Sequence, residues 1–157
     1  MAKKQRIPRA GEIAPDFVLK DQNGKDFTLS ELKGRRVLLS FHPLAWTEIC
    51  ALQMQSLEEN KGVFESLNTV PVGLSVDPVP SKKAWAENLG IKSVRLLSDF
   101  WPHGQVANAY GIFREKNGFS ERANIIVDEK GKIAFVKIYE ITQLPDIREI
   151  IGFIKGL

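Results

Sequence analysis

The chain has 157 residues, 22 basic and 19 acidic, for a net charge of +3 and 43% apolar content. That size favours one domain over residues 1–157 with a full hydrophobic core that needs no disulfide or metal staple. One cysteine and two histidines exclude an internal disulfide and a cysteine zinc cage and argue against a histidine metal centre, so no cofactor is expected. The charges are well mixed. Only Lys3-Lys4-Gln5-Arg6 clusters, and it reads as part of a flexible basic tail over residues 1–8. A nucleic-acid surface would need a longer basic stripe with interleaved aromatics. No window approaches about 18 consecutive apolar residues, so no membrane span is expected. The basic start lacks the apolar run of a secretory signal. A lone thiol fits a reducing cytoplasm.

In chain order, Ala14-Pro15-Asp16-Phe17-Val18-Leu19 leads into a short strand, Asp21-Gln22-Asn23-Gly24 is a turn, and Phe27-Thr28-Leu29 completes an N-terminal β-hairpin. Ser30 is placed to cap a single helical turn that Gly34 ends. Arg36 to Phe41 is a near-continuous apolar run of the kind found in a buried central strand, and Pro43 ends it. A helix is expected from about Trp46 to Ser66, carrying Leu52, Leu57, Phe64 and Leu67, with Gly62 weakening its last turns by about 1 kcal/mol. A strand follows over 70–76. The rigid loop Asp77-Pro78-Val79-Pro80 leads to a helix capped by Ser81 and closed by Gly90. Then come a strand at 95–98, a loop at 100–104 and a short helix at 106–110. Residues 122–127 and 132–138 flank the turn 128–131 as an antiparallel hairpin. Asp146 to Lys155 is a helix with Ile147, Ile150, Ile151 and Ile154 on one face. Alternating strands and helices followed by a hairpin and a helix give an α/β fold with a central mixed sheet flanked by helices.

The single cysteine, Cys50, falls in the first turn of the helix that follows the 36–41 strand. A free cysteine is often a small buried hydrophobe. A thiol in the first turn, however, faces unpaired backbone N–H groups and the positive end of the helix dipole, which favour the reactive thiolate. Thr47 is placed to be the N-cap, its oxygen accepting the N–H of Cys50. Pro43 fixes the preceding loop.

Pro43-x-x-x-Thr47-x-x-Cys50 resembles the active-site motif of the peroxiredoxins, the thiol peroxidases. Ala14-Pro15-Asp16-Phe17 is similar to the family's opening, and Leu97-Ser98-Asp99 to the segment before its short helix. Gln53 stands where the family carries Glu or Gln. Arg122, opening the strand into Val127-Asp128-Glu129-Lys130-Gly131, resembles the family's active-site arginine. The resemblance covers essentially the whole chain. It implies a thioredoxin-like fold, reduction of hydrogen peroxide and organic hydroperoxides, and Cys50 as the nucleophile that becomes a sulfenic acid. Thr47, the backbone N–H of Cys50 and Arg122 would hold the peroxide oxygens and stabilise charge as the O–O bond breaks. Pro43 would complete the catalytic set, and Gln53 would support it. A homodimer is also implied, with Trp46 and Trp101 in loops of the kind that mark partner surfaces.

A thiol whose pKa falls from about 8.5 to about 6 gains roughly thirtyfold in thiolate at neutral pH. A Brønsted slope of about 0.4–0.5 takes back about tenfold of that. A reactive cysteine alone therefore gains only a few-fold, and large acceleration must come from Thr47 and Arg122 acting on the peroxide. Without a second cysteine the chain cannot resolve its own sulfenic acid. An external thiol (thioredoxin, glutaredoxin or a low-molecular-weight thiol) must reduce it before it proceeds to sulfinic acid. By count this is a one-cysteine type.

His42 stands where many relatives carry an aromatic such as Tyr; it reads as a packed strand-end residue or as a modulator of the Cys50 loop. His103, in a Pro-His-Gly loop, reads as structural or exposed. Glu48 favours the helix start and is expected to point away from the sulfur. Two alternatives stay open. One is a peroxide sensor that relays oxidation to a partner protein. The other is a monothiol thioredoxin-like transferase, since Trp46-Thr47-Glu48-Ile49-Cys50 lines up with Trp-Cys-x-x-Cys with Thr47 in place of the first cysteine.

Overall fold

The computed structural model describes residues 5–157. The first part of the expected basic tail, including Lys3 and Lys4, lies outside the described residues. Arg6, just inside them, pairs with Glu12.

Nine strands and five α-helices follow one another among the described residues. They are β1 (Val18–Lys20), β2 (Asp26–Thr28), β3 (Arg36–Phe41), α1 (Glu48–Glu59), α2 (Lys61–Ser66), β4 (Thr69–Ser75) and α3 (Val79–Leu89). After these come β5 (Arg95–Ser98), α4 (Gln105–Ala109), β6 (Phe113–Arg114), β7 (Phe119–Ser120), β8 (Arg122–Val127), β9 (Ile133–Tyr139) and α5 (Ile147–Lys155). A 3₁₀ turn, Leu29–Leu32, follows β2. Seven strands form one mixed sheet in the order β2-β1-β5-β4-β3-β8-β9. β3, β4 and β5 run parallel, whereas β8 is antiparallel to β3 and to β9. The N-terminal hairpin is the sheet's edge, because β1 pairs with β5. β6 and β7 form a small separate hairpin that the sequence did not suggest.

The two faces of β3 and β8 explain where the core sits. Val37, Leu39 and Phe41 with Ala123, Ile125 and Val127 face one cluster, which includes Phe17, Phe27, Tyr110 and Val106 from α4. Leu38 and Ile126 face the other, filled by Met54 and Leu57 of α1, Phe64 of α2, Trp85 of α3, and Ile150 and Ile154 of α5. Since strand side chains alternate, Arg122 and Asn124 share the face of Ile126, under the helix that carries Cys50. The antiparallel direction of β8 brings its first residue, Arg122, to the sheet edge where β3 ends.

Several local expectations are corrected. The long helix expected over 46–66 is divided at Asn60 rather than weakened at Gly62. The Asn60 side-chain amide donates to the carbonyl of Ser56, the acceptor its own backbone N–H would use, and that N–H turns to Leu57. Leu52 is exposed, because the buried stripe of α1 is Cys50, Gln53, Met54 and Leu57. Trp46 lies outside the helix with φ of 67°. α3 begins at Val79, so Ser81 lies inside it rather than capping it; Pro80, with its preset φ, suits the first turn. Gly90 does close that helix, in the left-handed conformation. Gly73 of β4 is small for a packing reason. A Cβ there would lie 2.3 Å from the Met54 sulfur and 3.3 Å from the His42 ring, so a side chain would have to displace the Met54 side chain that packs α1 on the sheet.

Candidate active site

β3 runs straight into a loop, Pro43 to Thr47, whose position is held from the next strand over. The Asp77 carboxylate accepts the Ala45 N–H at 2.8 Å and the Ser75 hydroxyl at 2.6 Å. Pro43 and Ala45 are buried. Trp46 adopts a left-handed backbone, strained for a residue with a side chain by about 1 kcal/mol or more. Its indole N–H donates to Ser81 Oγ at 3.1 Å, which ties the loop to α3.

Thr47 occupies the N-cap position of α1 with extended backbone, but its side chain does not cap. The expected bond from the Cys50 N–H is absent, because the hydroxyl turns back and donates to the Leu44 carbonyl at 2.7 Å. With its hydrogen committed there, the Thr47 oxygen has only acceptor capacity left. Ala51 is the first residue whose N–H reaches a helical partner, Thr47 O at 2.9 Å. The N–H groups of Glu48, Ile49 and Cys50 are thus the first-turn donors that an α-helix leaves without i−4 partners. Glu48 is exposed.

Cys50 is almost fully buried, at 1% exposure. Arg122 is buried beside it and makes four hydrogen bonds. Its Nη1 lies 3.4 Å from Cys50 Sγ and 2.7 Å from Gln53 Oε1. Its Nε and Nη2 both donate to the Ile141 carbonyl, at 3.0 and 2.8 Å. Gln53 is itself anchored, donating to Ser40 Oγ at 2.7 Å and to the Phe41 carbonyl at 3.2 Å. A planar guanidinium held at both ends cannot swing away. The fold therefore brings Cys50, Gln53 and Arg122 into direct contact, with Thr47 and Pro43 in the loop immediately before them.

A sulfur held against a fixed cation at a helix start is an arrangement that can support thiol chemistry. The family model that matches the chain, over residues 10–136, is that of the AhpC/TSA family. The chain belongs to this family. It is a peroxiredoxin, a thiol-dependent peroxidase. Alkyl hydroperoxide reductase E of Mycobacterium tuberculosis is 41% identical over 139 residues, covering 88% of this chain and 90% of that protein. Peroxiredoxin-1 of Gekko japonicus is 32% identical over 156 residues, covering 93% of this chain and 77% of that one. Among solved structures, AhpC of Enterococcus faecalis superposes with a TM-score of 0.87 at 22% identity, covering 96% of this chain and 92% of that chain. Peroxidoxin BcpB of Mycobacterium tuberculosis does so with 0.83 at 25% identity, covering 96% and 98%. The expected thioredoxin-like fold with a mixed central sheet is borne out.

Within this peroxiredoxin, the residues resembling the family's other segments have structural work. Phe17 enters the core and the Pro15 carbonyl accepts the Tyr110 hydroxyl at 2.7 Å. The Asp99 carboxylate accepts the N–H groups of Val106 and Ala107 at 3.0 and 2.9 Å, fixing the start of α4. Burial pushes its pKa up to about 6, although those two N–H bonds pull the other way. His103 is exposed and sits 2.7 Å from the Gly118 carbonyl. His42 is fully buried, and burial holds its ring well below the ordinary imidazole range, with the charge of Lys82 adding to the effect. Lys82, also fully buried, was not singled out in the sequence. The signal was present, since Lys82, Trp85, Ala86 and Leu89 fall at i, i+3, i+4 and i+7, the spacing of one buried helix face.

Proposed function

We propose that Cys50 is the residue that reduces peroxide. The observation that supports this most directly is the contact between Cys50 Sγ and Arg122 Nη1, with the guanidinium pinned by Gln53 and the Ile141 carbonyl. The Cys50 thiolate attacks one oxygen of hydrogen peroxide or an organic hydroperoxide. The S–O bond forms as the O–O bond breaks, sulfur is oxidised to a sulfenic acid, and the leaving hydroxide or alkoxide takes a proton to become water or an alcohol. Thr47 contributes as an acceptor. Because its own hydrogen serves Leu44, its oxygen receives the peroxide O–H and so selects which oxygen faces the sulfur. Arg122 and the first-turn N–H groups stabilise the negative charge that moves onto the oxygens. Gln53 holds Arg122, and Pro43 shapes the loop.

The single cysteine leaves the second half of the cycle to an external thiol, whether thioredoxin, glutaredoxin or a low-molecular-weight thiol. That thiol condenses with the sulfenic acid, releasing water, and a second thiol frees Cys50 from the mixed disulfide. A reducing cytoplasm suits this dependence. No helix among the described residues is long and apolar enough to cross a membrane. A homodimer is proposed through the loops that carry Trp46, Phe100 and Trp101, which are 54%, 46% and 81% exposed.

Mass spectrometry of Cys50 after one equivalent of peroxide tests the mechanism. The expected result is a gain of one oxygen on Cys50, reversed by a suitable thiol. Peroxide consumed while Cys50 remains unmodified overturns it.

A further inference from the structure

One polar side chain breaks the apolar run of the central strand. Ser40 is the only polar residue of β3 after Arg36, and it is fully buried. A hydroxyl in such a place costs free energy unless it is used, and a valine or an alanine would pack there without that cost. Its neighbours across the sheet do not use it. The partner on β4 is Gly73, which has no side chain, and the partner on β8 is Asn124, whose amide N–H donates to Tyr139 Oη at 3.4 Å. Ser40 Oγ instead accepts from Gln53 Nε2 at 2.7 Å, a bond that leaves the sheet and reaches α1.

That bond matters because of how Arg122 is held. Its Nε and Nη2 both donate to one atom, the Ile141 carbonyl oxygen. Two bonds that converge on a single oxygen act as a pivot, fixing one edge of the guanidinium while leaving it free to rock. The opposite corner, Nη1, is the one that lies 3.4 Å from Cys50 Sγ, and Gln53 Oε1 at 2.7 Å stops its motion. Gln53 can do so only if its own amide is fixed. An amide has two unlike ends, so its oxygen faces Arg122 only while its NH₂ group faces acceptors. Those acceptors are Ser40 Oγ at 2.7 Å and the Phe41 carbonyl at 3.2 Å. Ser40 supplies the shorter bond. A line of contacts therefore runs from the floor of the sheet to the sulfur, through Ser40, Gln53, Arg122 and Cys50.

We propose that Ser40 is a positioning residue for Arg122, acting through Gln53 without touching the substrate. This rests on the reading of Cys50 as the residue that peroxide oxidises. Arg122 keeps its charge whether or not the Ser40 hydroxyl is present. What the hydroxyl sets is the direction from which Nη1 meets the oxygens as the O–O bond breaks. A group misplaced by about 1 Å can cost on the order of a hundredfold in rate. The Phe41 carbonyl continues to hold the Gln53 amide when the hydroxyl is removed, so a smaller loss belongs to Ser40.

A mutant cycle on the peroxide rate tests this. Stopped-flow rates are measured at a pH where ultraviolet absorbance shows Cys50 fully ionised, so that thiolate fraction does not contribute. Ser40→Ala is expected to be about threefold to tenfold slower than the wild type, the effect of losing one typical hydrogen bond. In a Gln53→Met background the same substitution is expected to have no further effect, because the two residues act as one unit. Equal losses from Ser40→Ala in both backgrounds, or no loss in the wild type, overturn the role. A hydroxyl that served only the packing of the strand would change stability and leave the rate of the folded protein alone. Should Gln53→Met fail to fold, Arg122→Lys is the background, since an ammonium has no fork to align, and a loss that persists there overturns the role equally. Absence of added oxygen on wild-type Cys50 is a separate result, seen by mass spectrometry, that defeats the underlying reading and this role with it.

Discussion

The core holds two buried cations, Arg122 and Lys82, and they are built in opposite ways. Arg122, on the sheet side, spends its N–H groups on a carbonyl, an amide and the sulfur. Lys82, on the α3 side, bonds to nothing. The first is a fixed charge whose direction is set by geometry. The second is a charge whose presence is set by its surroundings. A guanidinium suits the first role, because it stays protonated and its fork can be pinned at both ends. An amine suits the second, because burial brings its titration into the neutral range. The comparison separates two kinds of buried cation: one held by its hydrogen-bond partners, and one held against burial only by the charges around it.

The largest expected effect lies on the fixed side. Arg122→Ala is expected to lower the stopped-flow rate of peroxide reduction by about 10²–10³-fold, as removal of a preorganised charge stabiliser does. Thiolate absorbance should change far less than the rate. If rate and thiolate fraction fall together, Arg122 acts on the sulfur rather than on the peroxide, and the distinction between the two cations collapses. Thr47→Val comes next. It keeps the shape but removes the acceptor oxygen, and up to about a tenfold loss in kcat/KM with an organic hydroperoxide is expected, since a typical hydrogen bond contributes about 0.5–1.5 kcal/mol. Thr47→Ser should retain most of the activity.

The smallest effect on rate belongs to Lys82. Lys82→Met is expected to slow peroxide reduction only a few-fold near neutrality, because gains in thiolate fraction are largely offset by lost nucleophilicity. Its effect on stability has the opposite sign. Replacing a buried ionic group by a methionine of similar volume is expected to be neutral or stabilising by about 1–4 kcal/mol, measured by urea unfolding. The pH dependence follows from the lowered Lys82 value. Between about 7 in the folded protein and the ordinary 10.5, the unfolded chain binds more protons, so wild-type stability should rise with pH through that window. Lys82→Met should lack this rise. A variant with an unchanged pH slope would mean that the amine stays protonated and solvated in the native protein through that window.

Much of the fixed side was legible in the sequence. Cys50, Thr47 and Pro43 lie within one short motif, and Arg122 opens a strand whose apolar run marks it as central. The alternation of β8 then places Arg122 on the same face as Ile126, beneath α1. What could not be read was the direction of a hydroxyl. Thr47 fits an N-cap by type and position, yet its hydroxyl turns back to donate to the Leu44 carbonyl and its oxygen accepts no first-turn N–H. The division at Asn60 was hidden for a similar reason, since a side-chain amide competes for a backbone carbonyl without altering the hydrophobic pattern. Lys82 was obscured by its charge. The helix period placed it on the buried face, but a lysine beside Lys83 reads as solvated surface until the packing of Trp85 on His42 is seen.

The bond from the Trp46 indole to Ser81 gives the molecule an optical handle. It joins the loop before Cys50 to the first turn of the helix that carries Lys82, so the two walls of the site cannot separate without breaking it. An indole that loses such a partner to water shifts its emission. Trp85 is packed against a buried ring, and Trp101 stands in solvent. Of the three tryptophans, Trp46 is therefore the one whose fluorescence reports whether the loop and α3 remain joined.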